Sequence, residues 1–485
     1  MAVSSRDYEL APVKFSRLPK HGLLLGFTLP QLVCLGLAGA TIVAALYAGG
    51  GTGVAWTTPL WLTAAVAGLV PVSGRRLVEW APIAARWAAR TWKGQTMFRR
   101  NLDKPRPAGT LALPGDMAGL RQWHDPKTGA VMVHDPNRAT LTAVVAVTHP
   151  AFVLLDPQDQ QRRVQTWGRV LASCCRSGRI ARLQVLESAE PDTGTGLAGW
   201  WAAHGHDDGS ATAQIYKELI ERAGPASERH TTTISLALDM RAAGRAMRSA
   251  GGGIRGAAAV LAQEMGTLTT ALRSADLHPG GWLGPDDLAR MLRCAYDPGA
   301  ATLLQRHPAI GNDLADAGPL AVTETWAGLR TDTAWHTVLW VSEWPRSQVF
   351  PGFLAPILLS SGVRRSFSLL VTPLRADLAA KDLRRKHTEH VAEAAQRAKI
   401  GQIEDPATTA EYTDVLAQET DLANGHGVAR YTGLIAITAD DPGKLAAAQS
   451  AVEQAAIQAS CETRLLVGQQ AQAFTAATLP LCRET

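Results

Sequence analysis

The fold turns on AWHTVLWVSEWPRSQVFPGFLAPILLSSGVRRSFSLLVTP, residues 334–373. Its opening run mixes β-branched, aromatic and aliphatic residues, the composition of a strand. Trp344-Pro345 ends the run, because proline has no N–H to give to a sheet. Residues 350–360 read as a helix, and RRSFSLLVTP (364–373) reads as a second strand. A strand, a helix and a strand in succession make a βαβ unit.

The pattern continues towards the C-terminus. Two charge-rich helices (375–400 and 406–422) precede a strand at 429–438, a helix at 442–459 and the strand TRLLVG at 463–468. Without the helical pair the order is βαβ–βαβ. That is the split arrangement of ferredoxin-like domains, with helices on one face of an antiparallel sheet. Towards the N-terminus the same order recurs: strand 140–147, helix 158–177, strand 179–188, helix 211–222, strand 230–239 and a long helical run to 273. Short helices near 285–294 follow. This half reads as a degenerate copy with a larger helical insert. The expected class is α+β, with two tandem ferredoxin-like units at 111–318 and 319–485.

Before these units lies a membrane-like region, 1–73. Residues 23–47 carry no charge, and at about 25 residues they exceed the ~20 needed for a spanning helix. GGGTG (49–53) turns the chain, and 54–70 is a second uncharged stretch of about 17 residues. A cleaved signal sequence would be followed by ordinary polar chain, so a two-helix transmembrane hairpin is expected. Lys14, Arg17 and Lys20 precede it, Arg75 and Arg76 follow it, and the turn is uncharged. The positive-inside bias then puts both termini and the bulk in the cytoplasm, with Trp56 and Trp61 near the outer interface. Residues 74–110 read as a basic juxtamembrane helix and a Pro/Gly-rich linker. Trp80, Ala84, Trp87 and Thr91 share a face, with Ile83 alongside. Arg75, Arg76, Arg86, Arg90, Lys93, Arg99 and Arg100 supply cations for anionic lipid.

Charge and composition limit the function. Hydrophobic residues make up 46% and charged residues 19%, which excludes wholesale disorder. The net charge of +5 is too small to carry nucleic-acid binding by itself, and the strands show no basic stripe interleaved with aromatics. No direct nucleic-acid partner is expected. The six cysteines include the adjacent pair Cys174-Cys175 but no CxxC, a pattern of reduced thiols. GGGIRGAAA (251–259) has glycines but no Lys-Ser/Thr pair to hold a nucleotide phosphate, so it reads as a helix start. HGHDDG (204–209) reads as a turn and helix cap, His124 and His134 as members of two His-Asp-Pro turns, and His387 and His390 as solvated helix residues. No nucleophile, metal or Walker motif appears, so neither an enzyme nor a cofactor is expected.

Two resemblances add to this reading. PVKFSRLPKHGLLLGFTLPQLVCLGLAGA (12–40) resembles the PrgI family of small membrane proteins of Gram-positive conjugation systems, through Pro12, Phe15, Gly26, Thr28 and Gln31. Pro30 stands where that family usually has Arg. The segments VSEWPRSQVFPGFLAPIL, GLIAITADDPGKLAAAQSAVEQAA and RLLVGQQAQAFTAATLP resemble the N-terminal, non-motor domain of VirB/TrbE/CagE-type ATPases of type IV secretion. In those ATPases the last segment leads into the motor, so the resemblance implies a motor on a separate chain. It implies a non-catalytic inner-membrane component that docks this ATPase beside other membrane components, with Trp344, Pro345, Phe350, Phe353, Leu354 and Phe474 as contact residues. The layout, two membrane helices and then an α/β region, is also similar to the EccE component of type VII secretion. That family is the alternative.

Overall fold

The computed structural model describes residues 27–484 apart from 73–74, 102, 104–106, 108, 112, 150, 192–194, 224–227, 308–312, 401–405 and 424–426. Pro12, Lys14, Phe15, Arg17, Lys20 and Gly26 lie outside the described residues. Two compact units meet in sequence at Thr96/Met97.

The smaller unit contains α1 (Leu29–Trp56), α2 (Thr58–Leu69), β1 (Pro71–Val72), β2 (Arg75–Arg76) and α3 (Leu77–Trp92). Thr28 and Gln31 start α1 together: the Thr28 N–H donates to Gln31 Oε1 at 2.8 Å. Pro30 sits in the first turn, where its missing N–H costs nothing. Two residues of the first resemblance are therefore explained by ordinary helix capping. Gly50 interrupts α1 at φ 58° and ψ −144°, and the Gln31 side chain donates to the Gly68 carbonyl at 3.0 Å. Among the described residues one helix, α1, is long and apolar enough to cross a membrane. α2 has 12 residues, short of the ~20 a span requires. The expectation of two spanning helices is thereby reduced to one candidate span.

The larger unit is built on one 13-stranded antiparallel sheet. Its first half contains β3 (Met97–Arg99), β4 (Arg121–His124), β5 (Val131–Asp135), β6 (Thr140–Thr148), α4 (Pro157–Ser177), β7 (Ile180–Pro191), α5 (Thr195–His204), α6 (Ala211–Ala223), β8 (Glu228–Asp239), α7 (Gly244–Ser249), α8 (Gly253–Ser274) and β9 (His278–Trp282). α9 (Pro285–Tyr296) and α10 (Ala301–Arg306) connect it to the second half. That half contains β10 (Ala321–Glu324), β11 (Leu329–Arg330), β12 (Trp335–Glu343), α11 (Ala355–Leu358), β13 (Arg364–Pro373), α12 (Ala376–Ile400), α13 (Pro406–Ala423), β14 (Ala429–Ala439), α14 (Pro442–Gln458), β15 (Glu462–Leu465) and α15 (Gln470–Thr478).

Strands run in the order β3-β10-β11-β12-β14-β13-β7-β8-β6-β5-β4, with β15 also on β12 and β9 also on β6. The halves mirror each other: β9-β6-β8-β7 meets β13-β14-β12-β15 through the β7–β13 pair, in which Leu186 faces Ser368. The expected pair of separate ferredoxin-like units is corrected on this point, because residue 318/319 divides no sheet. Hydrogen bonds from β7 to β13 make both halves one layer.

The quoted stretch also needs one correction. Residues 350–360 form a turn followed by the four-residue α11, not a full helix. Pro351 and Pro356 remove helix donors, and Gly352 takes φ 95°. Arg365, buried, donates to the carbonyls of Leu358, Ser360 and Val363 and so closes this turn.

Side chains alternate across the sheet. On one face Leu339, Ile435 and Ile437 pack with Val452 and Ala456 of α14, and Val145, Ile234 and Leu236 are in a core with Val170 of α4 and Leu261 of α8. On the other face Val338, Leu434 and Ala436 pack with Phe474, Leu479 and Leu481. The C-terminal segment thus covers the second face.

Candidate interaction surfaces

The residues expected to dock a partner lie on both faces of the sheet. Trp344 is half-buried on the α14 side, over Gly433, where a Cβ would meet its ring at 3.0 Å. Phe353 and Leu354 pack partly on the same core, and Pro345 is buried. Phe474 is on the opposite face and fully buried, its ring centroid 5.2 Å from Tyr296 and 4.5 Å from His336. The reading of Phe474 as a docking anchor is corrected: it is core. Phe350, 54% exposed, is the member of the set most open to solvent.

What the C-terminal segment does is hold the sheet. Gln184, buried on β7, donates to Ser368 Oγ at 2.9 Å and to the carbonyls of Ala476 and Leu479 at 3.2 and 3.0 Å. Its Oε1 accepts from the Cys482 N–H at 2.8 Å. Ser235 Oγ donates to the Pro480 carbonyl at 2.9 Å. Arg483, also buried, pairs with Asp135 and Asp116. Desolvation lowers its pKa, and the two carboxylates work against that shift. These polar residues were not singled out from sequence. The available signal was a Gln or Ser at an inward position of an apolar strand, as in RLQVL and SFSLL.

His336 belongs to the same core. Thr331 Oγ1 donates to the Tyr296 carbonyl at 2.5 Å, so it accepts from His336 Nε2–H at 2.8 Å. Nδ1 then accepts from Thr438 Oγ1 at 2.9 Å. Burial lowers the imidazole pKa to about 3, so it is a neutral structural group at ordinary pH.

The basic segment is less uniform than its sequence. α3 ends at Trp92, so Arg99 and Arg100 are not on the helix. Arg99 is on β3, opposite Ala321 of β10, and Arg100 pairs with Asp316. Arg76 is on β2 and donates to the Leu69 carbonyl at the end of α2. Arg75 is opposite Val72. The helix itself carries Arg86 and Arg90, and Lys93 is its C-cap; Arg86 and Lys93 are exposed. Arg90 is half-buried, its guanidinium 6.0 Å from the Trp87 ring.

The histidine and glycine motifs take turn roles. Asp125 accepts from Thr128, and Asp135 from the N–H groups of Asn137 and Arg138, forming the two His-Asp-Pro turns. Asp207 pairs with Lys217, and Ser210 caps α6 by accepting from the Ala213 N–H at 3.2 Å. Gly251, Gly252 and Gly253 all take positive φ where α7 passes to α8. Among the described residues no group of three or more His, Cys, Asp or Glu is placed to hold a metal ion. A groove of about 230 Å³ between α12 and α13 is lined by Ala380, Leu383, Arg384, Glu419 and Leu422. One carboxylate beside one guanidinium there supplies no acid–base pair for catalysis.

Residues 226–341 match the model of EccE, described as a putative type VII ESX secretion system translocon. The matched stretch starts just before β8 and ends within β12. It therefore crosses residue 318/319, in agreement with a sheet shared by both halves. No curated protein matches the chain.

Proposed function

We propose that this chain is a non-catalytic, membrane-anchored component of a type VII secretion translocon. The match to EccE over 226–341 carries the reading, because it covers strands from both halves of the sheet. The apolar helix α1 supports it by offering a membrane anchor. The conjugation-type alternative draws on VSEWPR and QQAQAF, and much of both segments is spent on internal packing. Type VII is therefore favoured.

Finer parts of the proposal follow from the same anchor. The break at Gly50 and the Gln31–Gly68 hydrogen bond support a hairpin whose limbs return to one side. A reporter placed after Arg100 and another near Gly51 are expected on opposite sides of the membrane. Finding both on the same side removes the hairpin. A separate ATPase supplies the energy in this reading, with Phe350 as the contact residue that remains exposed.

Deletion of the gene tests the function. Export of type VII substrates should stop and return on complementation with the full chain. Unchanged export in the deletion strain contradicts the proposal.

A further inference from the structure

We propose that the exposed cationic side of α3 binds the headgroups of anionic lipids. The inference rests on the membrane-anchored reading of α1 but not on the type VII assignment. Arg86 and Arg90, at i and i+4, are neighbours on α3, and Lys93 follows three residues later as the C-cap of the helix. Arg86 and Lys93 are exposed, with no carboxylate partner among the described residues. Between Arg75 and Lys93 the chain has a single acidic residue, Glu79, in the first turn of α3.

A simpler account places Arg90 and Lys93 at the helix C-terminus to complement its dipole. That account explains neither Arg86, in mid-helix, nor Trp92, which is 88% exposed beside Lys93. Tryptophan flanked by cations is the composition favoured at a membrane–water boundary, where the ring sits at headgroup depth. Trp80, Ile83 and Trp87 form the half-buried side of the helix. α3 follows α1 and α2 closely in sequence and in the same compact unit, so a bilayer holding α1 is within reach. Each cation near an anionic surface contributes roughly a fivefold preference. The two exposed cations, Arg86 and Lys93, together give a preference of roughly an order of magnitude.

The test uses the full chain in lipid nanodiscs of phosphatidylcholine alone, or of phosphatidylcholine with phosphatidylglycerol. Trypsin cuts after Arg86, Arg90 and Lys93, so its rate there reports access to α3. Cleavage should slow by roughly an order of magnitude in the anionic discs, and the protection should vanish in high salt. Cleavage after the exposed Lys444 should be the same in both discs. In the double variant R86Q/K93Q the remaining Arg90 site should be cut about equally fast in both compositions. Equal cleavage of the native chain in the two discs overturns the proposal. So does protection by added RNA in zwitterionic discs without protection by anionic lipid. Failure of the chain to enter either disc overturns the anchor reading, and this proposal with it.

Discussion

His336 shows how a single buried side chain couples this fold to pH. Unfolded, its imidazole titrates near the ordinary 6.5; folded, burial lowers this to about 3. Between those values the unfolded chain binds a proton that the folded chain does not. The His336 contribution to stability is therefore full above about pH 6.5 and declines as pH falls towards 3. The chain in detergent should lose stability between pH 7.5 and pH 5. In His336→Gln that loss should shrink by about 2 kcal/mol, read from denaturant midpoints. An unchanged loss would show that the imidazole is solvated. From sequence, His336 was one letter in a strand, and Phe474 was read as a docking residue. An apolar side chain in sequence says that something must cover it. It does not say whether the cover is the chain's own sheet or a partner.

At the scale of elements, the C-terminal segment is the piece whose role was least legible. Strand and helix periodicities located β12, β13, β14 and α14 closely, because each is a contiguous pattern. The segment through 484 depends instead on contacts with residues some three hundred positions away, such as Gln184 and Asp135. No local pattern encodes those. Its electrostatic closure gives a graded prediction. Arg483→Met should cost about 3–5 kcal/mol, because it leaves the buried Asp135 carboxylate uncompensated. Asp116→Asn should cost less than about 1 kcal/mol, since Asp116 is half exposed and Asp135 still neutralises the guanidinium. Thermal unfolding of the two variants checks the order. Similar losses in both would show that Arg483 is not a buried charge. The basic helix was legible in composition but not in extent. Arg99 and Arg100 look like part of it, yet strand pairing with β10 and the Asp316 pair claim them.

For the whole molecule, the α+β class and the repeated strand–helix order were visible, whereas the merging of both halves was not. Edge pairing between β7 and β13 is a long-range choice, and each half alone reads as complete. The same merging bears on function, since the EccE match takes in strands from both halves, β8 and β9 from one and β10 to β12 from the other, and crosses the expected boundary. The central claim is that the chain works inside a type VII translocon. Its most direct measurement is affinity isolation of the tagged full chain from detergent-solubilised native membranes, followed by mass spectrometry of what co-purifies. The account predicts one large assembly containing other type VII membrane components, including an ATPase on a separate chain. Recovery of conjugation-type secretion proteins instead, or of the chain alone, would contradict it.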